Sequence, residues 1–254
     1  MNRTPPIDVR RKLREELGFG CPVPGCGSPF LEWHHFDPPW HLENHHNPEG
    51  MIALCHEHHI QADYGAFTSE QLHALKKGSK KEYQQVKAKF NWLRNTLLAV
   101  VGGNFYYEVP IIFQVRENRS IWFEKDKENN LLLNFAMPTA SGEDRAVMVN
   151  NEFFGTGEES DIDCPPSAKR MNITYKNGDN LAFEFREIVD EEVFRQRYTH
   201  VKAIPGHIKF PITSVEITLK VAGTEISFNA KETALGGIRF SGIFVSHGQV
   251  GIQI

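Results

Sequence analysis

Cys21-Pro22-Val23-Pro24-Gly25-Cys26, Leu31-Glu32-Trp33-His34-His35-Phe36-Asp37-Pro38-Pro39 and Cys55-His56-Glu57-His58-His59 are the stretches that decide how the first part of this chain folds. Two thiols sit across a tight Pro/Gly loop, and further along a third thiol precedes an imidazole by three residues. Zinc takes four sulfur or nitrogen ligands in a closed tetrahedron, and two short pairs on separate loops let one ion clamp two backbone segments. The spacing predicts a structural Zn2+ site at Cys21, Cys26, Cys55 and His58, with His56 the rival fourth ligand. Buried free thiols are the alternative and would leave the paired spacings unexplained. Disulfides do not suit a reducing compartment.

Between the two pairs, a strand-like run carries adjacent imidazoles and is broken at once by Pro38-Pro39. Neighbouring strand residues point to opposite faces, so His34 and His35 serve one site only where the strand bends. After the second pair, the i, i+4 spacing of His59 and Asp63 puts both on one helical face suited to a further cation. Arg10, Arg11, Lys12 and Arg14 before this region and Lys76, Lys77, Lys80 and Lys81 after it form two basic clusters. Contacts from such groups to phosphate give affinity without sequence information.

Taken together, residues 17–78 resemble the HNH endonuclease superfamily, in particular members with zinc knuckles around a ββα-metal motif. The resemblance rests on Cys21 and Cys26, on Leu31 to Pro38, on Gly50-Met51-Ile52-Ala53-Leu54-Cys55 and on the Cys55-x-x-His58-His59 spacing. It implies a catalytic divalent ion, Mg2+, Mn2+ or another, bound by His34 and His59, with His35 as general base. Asp63 joins as a ligand from its helical spacing. An Asn of the family signature falls on Gly50 here, which leaves Asn47 as the candidate for bracing the loop that carries the base. The implied reaction is hydrolysis of phosphodiester bonds in DNA, with RNA the other substrate, in a restriction or phage-defence setting. The competing reading is a non-catalytic zinc module that binds nucleic acid or protein.

Length and charge agree with this scale of organisation. A chain of 254 residues with a formal charge of −4 is not a basic nucleic-acid coat, and it accommodates one large or two ordinary domains. Its apolar runs are far shorter than the roughly 18–20 residues a membrane span needs, and Met1 to Pro6 lead into a charged segment instead of an apolar signal core, so no membrane association and a cytoplasmic address are expected. Helices are predicted over Ser69–Lys77, opened by the cap-like Thr68-Ser69-Glu70-Gln71, and over 81–100, with Tyr83, Val86, Phe90, Leu93 and Leu97 on one face. Gly102-Gly103 closes the second helix, giving residues 1–102 as the HNH domain with a helical extension and 103–254 as a β-rich targeting or regulatory domain. In that second part, runs such as Ile111–Val115, Leu131–Phe135, Ala146–Val149, Leu181–Phe185, Ile208–Ile212 and Val215–Val221 alternate with Asn/Asp/Gly turns, and Asp190–Tyr198 is its one helix. The expected class is α+β, its second domain a sandwich or, alternatively, a short β-solenoid. Cutting two strands with one such site predicts a homodimer. The acidic β domain would answer to an unknown ligand or protein.

Overall fold

A computed structural model describes residues 2–78, 85–141, 145 and 147–254. In chain order the elements are α1 (Ile7–Glu16), β1 (Leu31–His35), a 3-10 turn (Pro48–Gly50), β2 (Met51–Cys55), α2 (His56–Asp63), α3 (Ser69–Gly78), β3 (Lys87–Lys89), β4 (Leu97–Val101), β5 (Asn104–Tyr107), β6 (Ile111–Val115), β7 (Asn118–Lys125), β8 (Leu131–Ala136), β9 (Val147–Val149), β10 (Glu152–Phe154), β11 (Glu159–Asp163), β12 (Arg170–Tyr175), β13 (Asn180–Ile188), α4 (Glu191–Arg197), β14 (Ile212–Val221), β15 (Ile226–Phe228), β16 (Thr233–Leu235), β17 (Ile238–Phe240), β18 (Phe244–Ser246) and β19 (Val250–Gln253). The chain is α+β and mostly β, 40% strand against 16% helix. It forms two compact units, Met1–Ala88 with Phe154–Ile173, and Lys89–Phe153 with Thr174–Ile254.

The first unit is built on an antiparallel ribbon in which Leu31 pairs with Cys55 and His35 with Met51. All five residues of β2 are buried, and they form a core with Leu13 of α1, Leu31 of β1 and Leu72 of α3. The start of α3 follows its sequence signature: Gln71 N donates to Thr68 Oγ1 at 3.3 Å and Thr68 N donates to Gln71 Oε1 at 2.8 Å, a reciprocal capping box. Strand β11 belongs to this unit through Arg14, which is only 4% exposed and donates from Nε and Nη2 to the two carboxylate oxygens of Asp161 at 2.8 and 2.6 Å.

The helix expected over 81–100 does not form. Lys80, Lys81 and Tyr83 lie outside the described residues, and from Gln85 to Val101 the chain is extended or irregular, with β3 and β4 as its strands. Every residue of Leu97–Val101 is buried. A strand covered on both faces shows a continuous apolar run with no alternation to separate it from a buried helix. Gly102-Gly103, read as a helix stop, is instead the two-residue turn between β4 and β5, with φ of +57° and +70° and the pair Val101–Asn104 closing it. Positive φ at both central residues is what such a hairpin turn requires.

Two sheets make up the second unit. Strands β6, β7, β8 and β9 form an antiparallel meander, with β19 parallel to β6. In the other, β13 to β17 run as an antiparallel meander; β4 lies parallel to the Thr213–Ile217 half of β14 and pairs with β5. Phe113 meets Phe228 and Phe135 meets Phe183 between the sheets, with ring centroids 4.9 and 6.1 Å apart. These meanders are not the parallel rungs of a solenoid. On the outer face of the second sheet, Phe194 and Tyr198 of α4 and its C-cap pack with Leu98, Val100 and Phe105. The strand expected over Ile208–Ile212 starts only at Ile212, because Pro211 supplies no ladder donor.

Two stability predictions follow from this unit. A Cβ on Gly103 would lie 2.1 Å from the Lys231 carbonyl oxygen, in a backbone region that disfavours side chains. Gly103→Ala is therefore expected to lower unfolding stability by more than about 2 kcal/mol in urea titrations. Glu216 accepts from Arg197 Nε and Nη2 at 2.9 and 2.5 Å and from the Tyr198 hydroxyl at 2.9 Å. Desolvation pushes its pKa up, but these bonds outweigh it and hold the carboxyl below its ordinary value. Its contribution is full above the ordinary carboxylate range and is lost as pH falls through the depressed value, so the Tm gap between the parent and Glu216→Gln should begin to narrow as pH drops below the ordinary glutamate range and close below the depressed value.

Candidate metal centres

The first loop is shaped by the hydrogen bonds Cys26 N to Val23 O (3.0 Å), Gly27 N to Cys21 O (3.3 Å) and Cys21 N to Ser28 O (2.9 Å). They turn both thiols toward the junction of β2 and α2, where Cys55 is the helix N-cap and His58 lies in the first turn. His58 Nδ1 is 3.3 Å from Cys21 Sγ and 3.1 Å from Cys55 Sγ, and the Cys26 and Cys55 sulfurs are 3.7 Å apart. A disulfide needs about 2.05 Å, whereas the edge of a tetrahedron with ~2.3 Å metal–sulfur bonds is about 3.8 Å. None of the four cysteines is in a disulfide. The thiols share protons unevenly: the hydrogen bond from Cys21 pushes Cys26 down, and the same bond, with burial, pushes Cys21 up. Cys21, Cys26, Cys55 and His58 could therefore hold a metal ion, with one sulfur already inclined to the thiolate form. His56 is not the fourth group; 71% of its side chain is exposed and its Nδ1 lies 2.8 Å from Glu32 Oε1.

A second group forms where α2 crosses β1. His34, His59 and Asp63 each bring one ligand atom within 4.8 Å of the others. His34 Nδ1 is 3.2 Å from Asp63 Oδ1, and His59 Nδ1 is 3.5 Å from Asp63 Oδ2. Yet His34 Nδ1, on a residue only 7% exposed, is out of hydrogen-bonding alignment with that carboxylate and has no other partner among the described residues. A buried nitrogen left unpaired beside a carboxylate fits a cation between them. Burial first, and then His59, pushes the pKa of His34 down, which keeps the ring neutral and able to ligate. Glu32, two residues before His34 and so on the same strand face, places Oε2 3.3 Å from His59 Nδ1. It escaped the sequence reading, although its i, i+2 relation to His34 was the signal.

His35 ends β1 and stands outside this ligand group, yet it lines the same cleft of about 360 Å3 as His34, Asp63, Arg3, Trp40 and His41. Its ring centroid is 4.6 Å from that of Trp40, 5.3 Å from that of His45 and 5.8 Å from that of His46. Neither ring nitrogen has a hydrogen-bond partner among the described residues. Burial, and then His45 and His46, pushes its pKa down to about 4. Arg3 was missed as well: it lines the cleft close enough to disfavour protonation of both His34 and His35, and it has no ion pair among the described residues. A lone arginine near the terminus carries no local signal.

Other expected residues fall elsewhere. The Asn47 carboxamide caps the 3-10 turn by accepting from Glu49 N at 3.2 Å and makes no hydrogen bond to His35. Asn47 N donates to His45 Nδ1 at 3.1 Å, which puts the ring proton on Nε2, where it is donated to Pro38 O at 2.8 Å. Gly50 has a local cause: a Cβ there would sit 1.7 Å from Asp37 O, because Phe36 N and Asp37 N both donate to Gly50 O. Among the basic residues, Arg14 is buried on Asp161, and Lys76, its side chain 9% exposed, pairs with Glu16 at 2.9 Å and donates to the carbonyls of Pro48 and Met51. Both are therefore withdrawn from the phosphate-contact set by their internal partners. Lys77 is exposed and Arg10 is half-buried. Arg11 is 3.5 Å from Asp161, and Lys12 is 3.8 Å from Glu16 and 3.7 Å from Glu49.

Comparison with family models finds none that matches this chain, and no curated protein and no solved structure matches it either. No helix among the described residues is long and apolar enough to cross a membrane.

Metal removal tests the four-ligand group. Protein purified without chelator should carry a tightly held ion that Cys55→Ala loses. Coupling of such an ion to folding should cost that variant roughly 10 °C or more in Tm, since each kcal/mol is worth ~2–4 °C at this size.

Proposed function

We propose that the first unit is a divalent-metal-dependent endonuclease of the HNH, or ββα-metal, kind, acting on DNA phosphodiesters, with zinc at Cys21, Cys26, Cys55 and His58 as its structural ion. One observation carries this reading: an antiparallel ribbon and the helix after it bring His34, His59 and Asp63 together while His35, unligated, lines the same cleft. A catalytic ion held by His34, His59 and Asp63 would act as a Lewis acid toward the scissile phosphate and its leaving oxygen. His35 is neutral at physiological pH because of its burial, so one of its two unpaired ring nitrogens is free to accept a proton from the attacking water. Arg3 supplies positive charge on the wall of the cleft and would hold a non-bridging phosphate oxygen. The β-rich second unit would target or regulate cutting, as in a restriction or phage-defence enzyme, and two copies would be needed to cut both strands.

A non-catalytic zinc module is the second reading. It is favoured by the absence, among the described residues, of any hydrogen bond that would fix the tautomer of His35, the Asn47 amide being spent on its own turn. Supercoiled plasmid incubated with the full chain and Mg2+, Mn2+ or Ni2+ separates the two. Nicking that falls about 10²-fold or more in His35→Ala, with metal content and Tm unchanged, supports the nuclease. No nicking under any ion leaves the binding module. Arg3→Ala should raise the substrate concentration needed for half-maximal nicking while leaving metal content unchanged, with partial recovery in Arg3→Lys.

A further inference from the structure

The second unit holds a cavity of about 500 Å3 lined by its own residues, among them Leu97, Tyr106, Phe123, Asn95, Glu108 and Lys125. That volume is in the usual range for small-molecule sites, which combine apolar walls with a few placed polar groups. The Tyr106 ring is buried, 2% of the residue being exposed, while its hydroxyl keeps access to open space and makes no hydrogen bond among the described residues; burial pushes its pKa up. The phenol is thus a permanent donor without an acceptor. A phenol with access to open space and no acceptor among the described residues is available to donate to a bound molecule.

Beside it, the backbone is held in the left-handed region at two residues that carry side chains, Glu108 at φ +52° and His247 at φ +57°. They are joined by a 2.8 Å contact between His247 Nδ1 and Glu108 Oε2, and His247 N donates to Tyr107 O at 3.0 Å. Such conformations persist where the surroundings over-determine them, and they collect at ligand sites. The pairing uses one carboxylate oxygen and leaves the other for a donor. Lys125 has no ion pair among the described residues and contributes an available positive charge to the same wall.

We propose that this cavity binds a nucleotide, with the base against Tyr106 and Phe123, an exocyclic amino group on Glu108, a ring acceptor on the Tyr106 hydroxyl and the phosphate on Lys125. A heteroaromatic base carries a donor and an acceptor on one edge, as this wall requires. A simple carboxylic acid would be repelled by Glu108, and an acyl chain would leave the phenol unpaired. Tyr106 also borders a more open apolar cleft of about 730 Å3, but that cleft has no Lys or Arg among its described lining residues, which favours the Lys125 side for an anionic ligand. The nucleotide comes either free or extruded from a strand, as enzymes that read single bases extrude them. The proposal goes beyond the nuclease reading and does not need it, because binding is measured without cleavage.

Calorimetric titration of the full chain, without added divalent ion, with the four deoxynucleoside 5′-monophosphates, the matching nucleosides and a short single-stranded oligonucleotide tests it. Saturable binding is expected, weakest for thymine, which has no exocyclic amino group. Tyr106→Phe should weaken every ligand about tenfold with an unchanged melting curve, and Lys125→Ala should weaken nucleotides about tenfold while leaving nucleosides within about twofold. Binding of the oligonucleotide alone, weakened by both variants, identifies a strand as the source. His35→Ala should bind like the parent, which separates this site from the cleft of the first unit. No saturable binding by any ligand, binding that both variants leave unchanged, or binding lost in His35→Ala overturns the proposal.

Discussion

Cys55 is at once the last residue of β2 and the N-cap of α2, and the geometry of the first unit turns on its thiol. That sulfur lies 3.1 Å from His58 Nδ1, within the first helical turn, and 3.7 Å from Cys26 Sγ on the other loop. A cation gripped there would fix the direction in which α2 leaves the ribbon. The next residues on that helix, His59 and Asp63, then arrive beside His34, whose strand is already locked to β2 by the ladder. Adjacent imidazoles His58 and His59 belong to the two clusters separately, so loosening one cluster would disturb the other.

Much of this was legible in the sequence because metal-ligand chemistry leaves short, rigid spacings. The Cys21–Cys26 and Cys55–His58 pairs close around one point, and His59 and Asp63 share a face with helical periodicity. The capping box at Thr68 and Gln71 was readable for the same reason: it is local. In the second unit, the runs Ile111–Val115, Leu131–Phe135 and Leu181–Phe185 appear as strands or lie within them. What failed was non-local. Leu97–Val101 is apolar throughout because every position is buried, with α4 packed on the Leu98 and Val100 side, and no pattern inside five residues reveals that.

Charge was the least legible property. Arg14 and Lys76 looked like parts of basic clusters, but each satisfies carboxylate or carbonyl groups inside the first unit, while Arg3, which stands alone in sequence, lines the cleft. The position of Gly50 tells a similar story. The loop after β1 folds back so closely that the Asp37 carbonyl occupies the space a side chain would need, and Asn47 is used to hold the turn. Glycine at position 50 is therefore a steric necessity of this loop.

The bidentate bond between Arg14 and Asp161 joins parts of the chain that are far apart in sequence, since the polypeptide leaves the first unit after Ala88 and re-enters it at Phe154. Leaving such a guanidinium buried without its carboxylate costs about 3–5 kcal/mol, a large share of what a typical domain has. The knuckle-bearing half is therefore not a contiguous cassette. A fragment or fusion that carried only its N-terminal stretch would leave behind the acidic strand that neutralises Arg14, so excising this unit means carrying both segments.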